Sequence, residues 1–255
     1  FSKQQKEFTG EITPQEISDH VHYLASEQLQ GRGTGTEGER LAAQYVEREF
    51  TQLGMMPEGD LGRFTQKFQF TRGISLGPDN VLEISGASQQ LQVNGDFGPL
   101  SYSRSGDFSD QQLVLVGYGI VAPASDEFAV YDSYENMDVN GKWVVAFRYL
   151  PEQLPMAQRQ YLNRFADLRR KAMNARERGA KGIIFLSGPN SRVSSELIPL
   201  SQEAVMSGAG VFALSVTDRV GAMLVENPSY SLQQIQDRLD QGEHLRELEL
   251  SKKIS

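Results

Sequence analysis

His20 and His22 are the only two histidines close enough along the chain to suggest a shared metal ion, and their spacing argues against one. On a helix, two residues apart means about 200° of rotation, so both rings cannot meet one ion; helical ligand pairs sit at i, i+4, as in H-E-x-x-H. His244 stands alone among charged residues. Three histidines and no cysteine leave little for a transition-metal site, although carboxylates can hold a hard cation. The lack of cysteine also removes thiolate nucleophiles and any disulfide framework, which fits an exported protein. Ser187-Gly188 follows an apolar run of strand length, but neither G-x-S-x-G nor a partner histidine accompanies it, so a serine nucleophile has no activating base. Asp126-Glu127 and the pair Asp237 and Asp240 read as solvated faces or caps. Arg169, Arg170, Lys171, Arg176 and Arg178 read as the outer face of one helix. Gly33-Thr34-Gly35-Thr36-Glu37-Gly38 matches G-x-G-x-x-G, yet that fingerprint works between a strand and a helix, with an acidic residue about twenty positions on. Here a helix precedes it, so the loop reads as a turn between helices. These residues supply no catalytic or metal-binding residue, and substrate-binding residues stay unknown.

The elements that would position such groups can be read from capping and periodicity. Thr13, Pro14 and Glu16 form a capping box with proline at the first helical position. Ile17, Val21 and Leu24 follow at helical spacing, and Gly31 is expected to stop that helix. Thr36 with Glu39 starts a second helix, with Ala42, Val46, Phe50 and Leu53 on one face and Gly54 at its end. The period then changes to two: Phe64, Gln66, Phe68 and Phe70 predict a strand. Further strands are expected at 80–84, 90–93, 113–120 and 142–149, with hairpin turns at Asn94-Gly95 and Asn140-Gly141. A helix is predicted over 161–178, with Tyr161, Phe165, Leu168, Ala172 and Ala175 on one stripe. Strands at 182–186 and 211–216 follow. Thr217 caps a short helix, Ser231 with Gln234 opens another, and Leu245, Leu248 and Leu250 suggest a last strand. The expected fold class is α+β: an N-terminal helical hairpin followed by a β-rich domain with flanking helices.

The 255 residues carry 25 basic against 33 acidic side chains, a net charge of −8. This balance argues against nucleic acid, whose partners present an excess of Lys and Arg. With 39% hydrophobic residues the chain has the composition of a globular protein. No run approaches the roughly 20 apolar residues of a membrane span; the longest, Val144 to Phe147 and Ile183 to Leu186, are strand-sized. The sequence opens on Phe1 rather than Met, so localisation is not read from its first residues.

Two segments carry a pattern beyond these elements. The first runs Leu24-Ala25-Ser26-Glu27-Gln28-Leu29-Gln30-Gly31-Arg32-Gly33-Thr34-Gly35-Thr36-Glu37-Gly38-Glu39 and continues through Tyr45, Phe50, Leu53-Gly54 and Pro57. It resembles the start of the co-catalytic di-zinc aminopeptidases, metallopeptidase family twenty-eight. The second comprises Val116-Gly117-Tyr118-Gly119-Ile120-Val121-Ala122-Pro123, Tyr131-Asp132-Ser133-Tyr134 and Asp138 to Val145. With Lys171 to Ala175 and Arg178-Gly179-Ala180-Lys181-Gly182-Ile183-Ile184-Phe185, it is similar to the protease-associated domain inserted in many of those enzymes.

The resemblance implies three regions: residues 1–73 as the N-terminal helices and first strand of a peptidase domain, 74–250 as the protease-associated domain, and 251–255 as the start of a zinc core. The metal ligands of that family follow the inserted domain: a His-x-Asp, a bridging Asp, a Glu-Glu pair with the general base, then an Asp and a His. His20-Val21-His22 and His244-Leu245-Arg246 do not match, and no Glu-Glu pair occurs. The implied role is therefore the non-catalytic N-terminal part of a zinc aminopeptidase, inactive alone. Two zinc ions are implied for the parent, with peptides as its substrates and the zinc core as this region's partner. Its accessory domain would shape substrate access or mediate association. An exported location, periplasmic or secreted, is implied with it. The alternative is a stand-alone module that binds a peptide or protein without chemistry. A third reading, a nucleotide binder, would require saturable binding of NAD or ATP at Gly33 to Gly38. Because a helix stripe must be buried on something, the face of Ala42, Val46, Phe50 and Leu53 is expected to be under-packed or covered by another copy of the chain.

Overall fold

Thr13 and Glu16 begin the first helix by exchanging hydrogen bonds: the Thr13 side chain accepts from Glu16 N, and the Glu16 carboxylate accepts from Thr13 N at 3.0 Å. In the computed structural model, which describes residues 10–70, 74–200, 210–226, 229–243 and 249–255, the chain divides into two units, Phe1–Arg72 and Gly73–Ser255.

In the first unit, α1 (Pro14–Leu24) stops before the expected Gly31, and a 3-10 segment, Glu27–Arg32, takes over. Thr36 caps α2 (Glu37–Gln52), while the Glu39 carboxylate accepts from Gly35 N. Gly38 sits where α2 meets the 3-10 segment: a Cβ there would lie 1.9 Å from the Leu29 carbonyl oxygen. The last glycine of the G-x-G-x-x-G string thus serves helix packing. Leu29 is the buried apolar side chain among the described residues of this unit. Residues 64–70 form no strand, contrary to the alternating pattern. The segment folds back on itself, with Asp60 N donating to Thr65 O and Lys67 N to the Asp60 carboxylate. No strand is described elsewhere in the unit to pair with it, and Phe68 is 69% exposed. Ala42, Val46 and Phe50 are half-buried, with Phe50 edge-on to Phe64 at 5.6 Å, and Leu53 is exposed.

The second unit is built on β1 (Phe97–Pro99), β2 (Gln111–Leu115), β5 (Trp143–Phe147), β6 (Gly182–Leu186), β7 (Phe212–Val216) and β8 (Glu249–Ile254). They form one sheet in the order β1-β7-β6-β5-β2-β8. The inner pairs β2·β5, β5·β6 and β6·β7 are parallel, and the edge strands β1 and β8 run antiparallel to their neighbours. A small ribbon, β3 (Val121–Ala122) with β4 (Tyr131–Asp132), lies outside this sheet. The continuous apolar runs read from sequence are the central strands, because a parallel strand buried on both faces needs no polar alternation. Trp143, Val145 and Phe147 serve one core, with Val220 and Leu224 of α5 (Asp218–Leu224) and Ile235 and Leu239 of α6 (Leu232–Asp240). Val144 and Ala146 serve the other, with Ala172 and Ala175 of α4 (Leu168–Glu177). Fold class α+β describes the molecule, and no helix among the described residues is long and apolar enough to cross a membrane.

Several elements differ from expectation. The helix expected over 161–178 is two, α3 (Met156–Asn163) and α4, because the Asp167 side chain accepts from Arg170 N and starts a new helix there. Neither Asn-Gly pair makes a hairpin between strands: Asn94-Gly95 turns back onto Gln92, and Gly141 N donates to Gly179 O as the chain enters a parallel strand. The strand expected over 113–120 ends at Leu115, where Gly117 and Gly119 adopt φ of 59° and 63°. Residues 80–83 are irregular, but Glu83 exchanges two backbone bonds with Ser255, and Ile84 bridges to Ile254. The domain boundary drawn at 250 falls inside β8, which pairs with β2 and belongs to the second unit. Leu245 and Leu248 lie outside the described residues.

Candidate functional site

The residues singled out for chemistry fall into structural roles. His20 Nδ1 lies 2.6 Å from the Tyr45 hydroxyl, and the Tyr45 ring stacks on Tyr23 at 4.3 Å. His244 lies outside the described residues. No group of three or more His, Asp or Glu side chains placed to hold a metal occurs among the described residues, so the residues present do not fit a zinc site. Ser187 is buried, with its hydroxyl 3.5 Å from the Glu196 carbonyl. Asp126 and Glu127 are exposed.

Two residues read as surface groups are instead buried. Lys171 is fully buried on α4, and its Nζ donates to the carbonyls of Phe147, Arg148 and Tyr149 at 3.1, 3.0 and 2.8 Å. Burial lowers its amine from the usual lysine range to about 7, and the negative charge of Asp167 pulls the other way. Asp240, at the end of α6, is 1% exposed. It accepts from the Tyr118 hydroxyl, from Glu152 N at 3.0 Å and from Asn190 Nδ2 at 2.8 Å. Burial, then the Asp240 hydrogen bond, pushes the Tyr118 hydroxyl well above the usual tyrosine range. These two networks tie loops to helices and present no free nucleophile or base.

A concavity of the second unit lies beside β1. A groove of about 710 Å³ runs between the segment 74–81 and the stretch 97–108. Hydrogen bonds hold the latter against β7: Leu100 N donates to Ala213 O, Arg104 N to Val211 O, and the Ser103 hydroxyl accepts from Ala213 N at 2.9 Å. Asn80 Nδ2, donating to Gly77 O at 2.8 Å, closes the turn on the opposite wall. The floor is aromatic: Phe108 packs on Phe212 at 5.2 Å and on buried Trp143 at 4.4 Å, and Phe97 adjoins it. Arg104 lays its guanidinium over the Phe212 ring at 4.8 Å. The outer edge of β1 is not open to another strand, because Asn94 N donates to Phe97 O, Phe97 N to Gln92 O, and Pro99 has no N–H. A ligand in the groove would therefore be held by side chains rather than by added strand pairing.

No family model matches the chain, and no curated protein matches it. Among solved structures it is similar to an aminopeptidase from Aneurinibacillus sp. strain AM-1, at 18% identity over 93% of this chain and 43% of that one, with a TM-score of 0.42. It is also similar to BSAP, a zinc aminopeptidase from Bacillus subtilis, at 16% identity over 82% and 40% of the two chains, with a TM-score of 0.34. The chain spans less than half the length of either.

Proposed function

We propose that this chain is the non-catalytic N-terminal part of a zinc-dependent aminopeptidase. Its second unit would be an accessory domain of the protease-associated type that shapes substrate access or binds peptide segments. The supporting observation is where the second sequence pattern falls. Gly117 and Gly119 make the left-handed turn after β2, and Tyr134 packs under the Arg178 guanidinium at 4.7 Å. Arg178 also pairs with Asp132 at 3.0 Å, Lys171 ties α4 to the end of β5, and Gly179-Ala180 leads from α4 into β6. The pattern is thus a set of joints within one unit, as expected of a module carried as a whole. On this reading zinc and the general base belong to another part of the parent, and the protein is exported.

The test is capture of the native protein from its source cells with an antibody against this chain. The captured material is assayed on leucine p-nitroanilide, with and without chelator and restored zinc. The expected result is a polypeptide well above 28.4 kDa with chelator-sensitive activity, while the 255-residue chain alone stays at background. A sole band near 28.4 kDa without activity, proteolysis having been excluded, would replace this reading with a stand-alone binding module.

A further inference from the structure

We propose that the groove beside β1 receives an extended peptide segment in which a large apolar side chain is flanked by basic residues. This inference rests on the reading of the second unit as a binding domain. The floor is apolar: half-buried Phe108 lies with the buried rings of Phe97 and Phe212 and with Leu214, so a large aromatic or aliphatic side chain seated there would leave water. The rim sets the flanking charge. Asp79, Glu83 and Asp107 are exposed along the groove, against one cation among the described lining residues, Arg104. Among the described residues none of these three carboxylates has a hydrogen-bond or ion-pair partner, while Arg104 is stacked on Phe212. Among the described residues the rim therefore carries an excess of negative charge, within a chain of net charge −8, a field that favours a basic ligand. The blocked edge of β1 leaves side-chain contacts as the means of holding it.

The probe is the fluorescent peptide acetyl-Lys-Lys-Phe-Leu-Lys-Lys-amide, blocked at both ends so that no aminopeptidase chemistry enters. It is titrated with the 255-residue chain and read by anisotropy. Saturable binding is expected, with at least tenfold loss when glutamate replaces the lysines and a similar loss when serine replaces Phe-Leu. The double variant Asp79→Lys, Asp107→Lys alters two exposed side chains, so its melting temperature should hold while its affinity falls at least tenfold. Raised salt should weaken the wild-type complex independently of any variant. Absence of binding, equal affinity for the glutamate peptide, or undiminished affinity in the double variant would overturn the proposal. The titration needs no metal and no catalysis, so a negative result alongside captured aminopeptidase activity removes the groove assignment alone. The reverse pair of results removes the parent assignment alone.

Discussion

The ammonium of Lys171 has three hydrogens, and three carbonyl oxygens meet them at the end of β5. Desolvation favours the neutral amine and the negative charge of Asp167 favours the cation, with the balance near pH 7. In the unfolded chain the amine titrates near 10.5. Below pH 7 both states hold the proton and the contribution is flat. Between about 7 and 10.5 the unfolded chain holds protons that the folded chain has lost, so this group makes unfolding costlier as pH rises. Urea titrations at pH 6, 8 and 10 should show that rise in the wild type and its loss in Lys171→Met. The variant should also be less stable by about 2–3 kcal/mol at pH 8, because the carbonyls of Phe147, Arg148 and Tyr149 lose their amine donor. Asp240→Ala should cost a similar amount, about 2–3 kcal/mol by the same measurement, by stranding the Tyr118 hydroxyl and Glu152 N. By type alone both residues read as surface charges, yet their spacing points inward. Leu168, Lys171, Ala172 and Ala175 follow i, i+3, i+4, i+7 on α4, and Gln236 and Asp240 follow i, i+4 on α6. A charge on an apolar stripe reads as a surface group only when its type is weighed above its position.

At the scale of elements, legibility followed how locally each element is determined. The caps at Thr13, Thr217 and Ser231 depend on residues three apart, and each forms as read. The runs of β5 and β6 were legible because burial on both faces leaves an unbroken apolar string. Phe64 to Phe70 has the right alternation but no neighbouring strand among the described residues of its unit, and a strand is a property of a pair. The split between α3 and α4 shows a short-range signal outweighed by a longer stripe: Asp167 sat within an apparent helical pattern and caps a new helix instead. Asp167→Ala should therefore lower stability by about 1 kcal/mol, read as a melting shift of a few degrees. The groove was beyond such reading, since its walls come from residues 74–83, 97–108 and 212–214 and from Ser255, far apart in the chain.

At the scale of the molecule, the two units are unequally endowed. The second owns the six-stranded sheet and both hydrophobic cores, while the first buries Leu29 among its described apolar side chains. Residues 73–255 expressed alone should melt cooperatively within a few degrees of the full chain, and residues 1–72 alone should show no cooperative transition by circular dichroism. Loss of the transition in the larger piece would mean that its core draws on the first unit. The position of β8 also bears on how the protein is made. It lies between β2 and the segment 83–85, bonded to both through Ile254, Lys253 and Ser255. On the ribosome, at roughly 5–20 residues per second, β2 emerges well over a hundred residues before its outer neighbour. For those seconds the outer edge of β2 stands without its neighbour, and a polypeptide ending before Glu249 would keep that edge unpaired.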